Sequence, residues 1–217
     1  KHLKPDVEVL GLSATVPNSK EIAQWLKASL VESDWRPIPL YKGVYYDGTI
    51  EFEGKDHEVV KSDYKIPLRA LIDSSLKNKG QVLVFANSRK TAESNSLAFG
   101  EQINELLTEK EKERLKGISE QVLGVLELPT SQCTRLSQTT LNGVAFHHAG
   151  LLREQRKLIE DAFRDDLIKV LFATPTLAMG VNLPATIVTF QSMYRYEGGS
   201  SQLIPTKEYL QMIGRAG

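Results

Sequence analysis

The chain has 217 residues and a formal net charge of zero, 27 Lys plus Arg against 27 Asp plus Glu, so it lacks the global basic excess that marks many nucleic-acid-binding proteins, though local patches are not excluded. Its hydrophobic content of 41% suits a globular domain with a sizeable core, and its single cysteine, Cys133, rules out an internal disulfide framework and a multi-cysteine zinc site. No apolar run approaches the roughly 20 residues that span a bilayer, and no leader-like apolar stretch follows Lys1-His2-Leu3-Lys4-Pro5, so a soluble, intracellular protein is expected.

Val7 to Leu12 is an apolar, β-branched run of buried-strand length. Asn18 and Glu21 stand at capping-box spacing, and Ile22, Ala23, Trp25, Leu26 and Leu30 then predict a helix over 19–30. The prolines of Arg36-Pro37-Ile38-Pro39 impose an extended connection, where a domain boundary is placed: 1–36 in one unit and 37–217 in the next. Asp47-Gly48 between Val44-Tyr45-Tyr46 and Thr49 to Phe52 predicts a tight hairpin.

A helix over 68–77 precedes a buried strand over 81–86. Ser88 is positioned to cap a helix carrying Ala92, Leu97, Ile103, Leu106 and Leu107. Thr108 with Glu111 repeats the capping-box spacing and opens a helix through Ile118, Val122 and Leu126. The polar stretch 129–142 reads as a loop, with at most a short helix. Strands over 143–147, 168–173 and 186–190, with a helix over 153–163 between the first two, complete the pattern. Continuous apolar strands alternating with helices predict an α/β fold, a parallel sheet covered on both faces.

Ligands of such sheets sit beyond the carboxyl ends of the strands. The residues there are Ser13-Ala14-Thr15, Asn87-Ser88-Arg89, His147 to Leu151, and Thr174 to Pro184, with Tyr209 to Gly217 further on. Small hydroxyls, backbone amides and an occasional Arg suit phosphate, from a nucleotide or from a nucleic-acid backbone. His147 and His148 are adjacent strand residues that face opposite ways, and no carboxylate or Cys partner stands at ligand spacing, so no metal site is assigned. No GxGxxG follows a strand, which argues against a dinucleotide dehydrogenase.

The order of these pieces resembles the second RecA-like motor domain of a superfamily-two helicase of the superkiller-like branch. LSATVPN (12–18) is similar to motif III, VLVFANSR (82–89) to motif IV, FHHAGL (146–151) to the histidine–glycine motif after it, ATPTLAMGVNLPA (173–185) to motif V and YLQMIGRAG (209–217) to motif VI, short of its last Arg. The LGLSATVPN, EIAQWL and SDWRPIPL runs further resemble archaeal DNA repair helicases related to the helicase of DNA polymerase theta. The likeness covers nearly the whole chain.

That resemblance implies an ATP-dependent DNA helicase acting on single-stranded and forked DNA, cytoplasmic in an archaeon or nuclear in a eukaryote. ATP and Mg²⁺ would be bound jointly with a first motor domain, whose last strand and helix would be 1–36. Neither a GxxxxGK[ST] loop nor an acidic Mg²⁺ motif occurs here, so the isolated chain is expected to be inactive. The resemblance makes Arg215 and Gln211 the catalytic contributors, Gly180, Asn182 and Gly214 nucleotide neighbours, and Ser13 and Thr15 coupling residues. Ser88, Arg89, His148, Gly150 and Thr174 would line the DNA track. Residues 191–204, where Tyr194, Arg195 and Tyr196 precede Gly198-Gly199, have the composition of a β-hairpin, which the resemblance makes a strand-separating wedge. Further C-terminal domains of the same polypeptide would be partners, and no membrane would. Two alternatives stand beside this reading: a RecA-like module that binds single strands without hydrolysis, and an RNA helicase of the same branch.

Overall fold

The computed structural model describes residues 10–13, 18–33, 35–179, 181–197 and 199–217, with the side chains of 179, 196 and 197 left aside. Leu10 to Leu12 form no strand and are exposed, contrary to the sequence expectation; Val7 to Val9, Thr15 and Gly180 lie outside the described residues. A buried parallel strand needs neighbours on both sides, and none of the described strands pairs with this segment.

Helix α1, Ser19–Leu26, stops four residues short of the predicted end because Lys27 takes a left-handed conformation (φ 52°) and its N–H returns to Gln24. Asn18 makes no side-chain cap; it donates instead to the Glu21 carboxylate at 3.3 Å. The helix buries none of its residues. Strands β1 (Gly43–Tyr46), β2 (Thr49–Phe52) and β3 (Glu58–Val59) form a small antiparallel sheet. Asp47 (φ 44°) and Gly48 (φ 79°) both take positive φ, the geometry of the predicted hairpin turn.

The larger layer follows. Helix α2 is Pro67–Lys77, β4 Val82–Phe85, α3 Arg89–Asn104 and α4 Glu109–Gly124. Ser88 accepts from Thr91 N, and the Thr108–Glu111 box closes in both directions. Helix α5, Ser131–Leu141, occupies the stretch read as a loop, capped by Thr130. Then come β5 (Val144–His147), α6 (Arg153–Arg164), β6 (Val170–Ala173), a 3-10 turn over Pro175–Met179, β7 (Ile187–Phe190), a separate hairpin of β8 (Tyr194–Glu197) and β9 (Ser200–Leu203), and α7 (Thr206–Ile213).

The main sheet is parallel throughout, in the order β5-β6-β4-β7. Every residue of β4, β5 and β6 is buried, which is why these strands read as unbroken apolar runs. On one face Phe172 meets Phe99 of α3, with ring centroids 5.4 Å apart. On the other, Phe85 stacks on Phe190, Phe190 meets Tyr209 of α7, and His147 bonds Glu160 of α6. This is the RecA-like α/β architecture the motifs imply, and the hairpin predicted within 191–204 is present.

Candidate functional site

All four parallel strands deliver their carboxyl ends to one rim, and two clusters of the singled-out residues form along it. The first joins the segment after β6 to the end of α7. Helix α7 packs through buried Met212 and Ile213, and its last turn hands the chain to Arg215. The Arg215 guanidinium donates to Asn182 Oδ1 at 3.3 Å and to the Ala178 carbonyl. The backbone repeats the junction: Ala185 N–H bonds Arg215 O, and Gly217 N–H bonds Ala185 O, both at 2.8 Å. Arg215, Asn182 and Gly214 are thus brought together. Arg215 Nε and Gln211 Oε1 are buried without a hydrogen-bond partner. Such orphaned groups normally find a partner. The Arg donor fits a phosphate oxygen, and the Gln acceptor fits a hydroxyl or water. Among the described residues no group of three His, Cys, Asp or Glu could hold a metal.

The second cluster lies beyond β4, β5 and β6. His148 is fully buried. Its Nδ1 accepts the Gly150 N–H at 3.1 Å, which places the ring proton on Nε2, 3.2 Å from Glu93 Oε1 of α3. Burial holds His148 below its ordinary value against the opposing pull of Glu93. Burial pushes Glu93 up, but hydrogen bonds from Gln132 and Arg135 of α5 outweigh it and keep the carboxylate ionised. A side chain at Gly150 would stand 3.0 Å from His148 Nδ1 and 3.2 Å from Arg89 Nη1, a tight fit that would make these neighbours give way by a few tenths of an ångström. Arg89, His148 and Gly150 therefore share one corner. Thr174 adjoins it through its N–H on His147 O at 3.1 Å, and its hydroxyl meets that of Thr176 at 2.9 Å.

This geometry revises one assignment. His148 has no exposed surface and both ring nitrogens are engaged, so it shapes the Gly150 loop and does not itself touch a strand. The Ser88 hydroxyl is exposed and also caps α3, accepting from Thr91 N at 3.0 Å, which fixes the helix start beside Arg89. Both histidines do have carboxylate partners, Glu160 at 2.9 Å and Glu93 at 3.2 Å, but on opposite faces and as hydrogen bonds. Ser13 is described but exposed, away from either cluster's hydrogen bonds.

In the hairpin, Tyr194 pairs with Leu203 and Tyr196 with Ser201, and the Tyr194 side chain is half exposed. Arg195 turns inward to Glu208 of α7 at 2.5 Å. Glu208, Arg195, Asn87, Thr176, Ser192 and Phe85 border a cleft of about 340 Å³ at the strand ends. Glu93, Glu160 and Glu208 were not singled out from the sequence. Each lies in a helix 13 to 55 residues from its partner, where no local pattern announces the pairing.

A parallel sheet with phosphate-suited groups gathered on its carboxyl rim, and an Arg just past α7 bonded to the loop after β6, fits a RecA-like nucleotide-handling domain. Residues 120–217 match the helicase conserved C-terminal domain. The chain belongs to the superfamily-two helicases, and residues 120–217 carry the match to their C-terminal RecA-like domain. It is 40% identical over 218 residues to the ATP-dependent DNA helicase Hel308 of Methanocella arvoryzae, an alignment that takes in 100% of this chain and 29% of that protein. It is 42% identical over 210 residues to the helicase of the same name from Pyrococcus horikoshii, covering 97% of this chain and 28% of that protein. The chain therefore spans under a third of the length of these curated relatives. Among the described residues no helix is long and apolar enough to cross a membrane.

Proposed function

We propose that this chain is the second motor half of an ATP-dependent DNA helicase that moves along single-stranded DNA and opens forked duplex in repair or recombination. The observation that carries the reading is Arg215, held against Asn182 and the Ala178 carbonyl with a buried Nε still lacking an acceptor. An arginine so preorganised stabilises charge developing on a transferring phosphoryl group. ATP and Mg²⁺ would sit between this domain and a first motor domain of the same polypeptide, and the bound ion would neutralise charge on the phosphates. Arg215 and Gln211 would meet the nucleotide from this side, with Gly180, Asn182 and Gly214 close by.

Ser88, Arg89, Thr174 and the Gly150 backbone would meet the DNA backbone, with His148 holding those contacts in place. Contacts to phosphate make binding largely independent of sequence and sensitive to salt. Residues 1–36 would complete the first motor domain, with Ser13 and Thr15 coupling the halves. Exposed Trp25, Val31 and Trp35 support this, since isolated apolar residues are ordinary but a run of large ones marks a face that is covered in the whole protein. Further C-terminal domains would extend the track. The archaeal relatives support a cytoplasmic setting.

The hairpin would be the wedge, with Tyr194 and Tyr196 stacking on unpaired bases. The parental polypeptide should open a forked duplex when given ATP. Tyr194→Ala with Tyr196→Ala should lower base pairs opened per ATP hydrolysed about tenfold, equivalent to losing about 1.4 kcal/mol of stacking. Undiminished opening would remove the wedge role. Strand binding without hydrolysis in the unaltered protein would leave a binding module instead.

A further inference from the structure

We propose that the Arg195–Glu208 ion pair is the strut through which helix α7 moves the hairpin, so that a change at the Arg215 end is delivered to the junction of the duplex. The proposal rests on the motor reading above.

The hairpin stands apart from the main sheet. Strands β8 and β9 pair with each other in a sheet of two, while β7 ends the four-stranded one. A two-stranded ribbon has little stability of its own, so its orientation depends on what ties it to the body. At its base Ile204 N–H returns to Met193 O at 2.8 Å, and Ser192 Oγ accepts from Tyr194 N at 3.0 Å. Both bonds close the base on itself. The Arg195–Glu208 pair, at 2.5 Å, crosses from the hairpin to another element. Arg195 occupies the middle of β8, opposite Gln202, so the pair grips the ribbon along its length and not at its root.

Glu208 is equally well placed at the other end. It lies in the first turn of α7 and is buried. Gln211 follows one turn on, and Arg215 lies in the turn just beyond the end of α7 at Ile213. The same short helix therefore carries the carboxylate that holds the hairpin and Gln211, and the turn that follows it carries Arg215, each of these two with a buried side-chain atom lacking a partner. Arg215 is fixed to Asn182 and Ala178. A ligand that drew the guanidinium away would remove its bonds to Asn182 and the Ala178 carbonyl, leaving the C-terminal end of α7 joined to the loop after β6 by the Ala185–Arg215 and Gly217–Ala185 backbone bonds, a looser junction about which the helix can tilt. A helix of this length moves as one piece, because its hydrogen bonds and packed face do not bend gradually. Its first turn would shift in response, and the partly buried charge pair would take Arg195 with it, since separating it would leave the buried Glu208 carboxylate without its cation.

Two measurements test this. Amide exchange over 194–203 in the 217-residue chain reads the tether alone. Glu208→Gln should speed exchange in the hairpin about tenfold, and the reversed pair, Arg195→Glu with Glu208→Arg, should restore protection. Unchanged exchange in Glu208→Gln would overturn the strut. Base pairs opened per ATP hydrolysed, in the parental polypeptide, reads transmission. This ratio should fall about tenfold in Glu208→Gln and recover in the reversed pair, within the range of coupling between two sites. A ratio that stays at the wild-type value would overturn transmission even where exchange shows the tether. A wild-type protein that hydrolyses ATP yet opens no fork would overturn the motor reading itself, and the exchange result would still decide whether the pair ties hairpin to helix.

Discussion

The four-stranded sheet and the segment before residue 60 use similar amino acids to opposite ends. In the sheet, Leu83, Val84, Phe146, Leu171 and Phe172 are wholly buried, gripped by helices on both faces. In the earlier segment Leu12, Trp25, Val31, Trp35 and Tyr46 are each more than three-quarters exposed. Hydrophobicity did not decide between these outcomes; the presence of a second layer did. A strand or helix with an apolar face is finished only when another element covers it. The sheet domain contains its own cover. The early segment touches the domain at few points, among them Arg36, which donates to the Ala216 carbonyl, and Ile38, which lies against Gly217. The contrast separates a stretch of chain that supplies its own cover from a neighbour whose large apolar groups stay exposed.

The most damaging way to probe this difference is to hollow the sheet. Phe172→Ala removes a ring in contact with Phe99 and should cost about 3–5 kcal/mol, enough to populate the unfolded state in a urea titration. A smaller loss is expected from Glu93→Ala, which strands the His148 Nε2–H and the Arg135 guanidinium. About 1–3 kcal/mol should go, together with faster amide exchange at Gly150.

Acid should act in two stages. Burial keeps His148 neutral and below 6.5, and His147 likewise, so the unfolded chain takes up these protons first and stability declines as pH falls below about 6.5. Glu111 then follows. Burial pushes it up, but bonds from Lys169 and Thr108 bring it down to about 2, so its contribution is present above pH 4.5 and is lost between there and about 2. Thermal melts across pH 7 to 3 would show both steps, and stability that rose on acidification would contradict them.

The smallest effect is the most telling for the comparison. Trp25→Ala should change the stability of the isolated chain by less than about 0.5 kcal/mol, because the ring is 81% exposed. In the parental polypeptide the same change should cost several times more. Equal effects in both would mean that no partner covers α1.

The sequence carried the sheet because buried parallel strands write themselves as short apolar blocks. Caps at Ser88 and Thr108 were equally readable, as was the Asp47-Gly48 turn, because each is a local contest between a side chain and the nearby backbone. Helix α5 escaped because its buried face is largely Ser137, Thr139 and Thr140, and a Ser119–Ser137 hydroxyl bond of 2.6 Å takes the place of apolar contact. Hydrophobic periodicity cannot register a face built that way. Of the run at 7–12, only Leu10 to Leu12 are described, and they form no strand because none of the described strands lies beside them to pair with. Motif likeness gathered the residues of the rim, and geometry separated those that face outward from His148, which is sealed inside.

Whether this domain serves ATP chemistry through Arg215 is decided by DNA-stimulated ATP hydrolysis of the parental polypeptide, with and without Arg215→Ala. The account predicts that turnover falls about 10²–10³-fold while single-strand binding persists, the scale of losing one preorganised charge contact to the reacting group. Turnover that remained at the wild-type rate would contradict it and leave this domain holding DNA without serving the nucleotide.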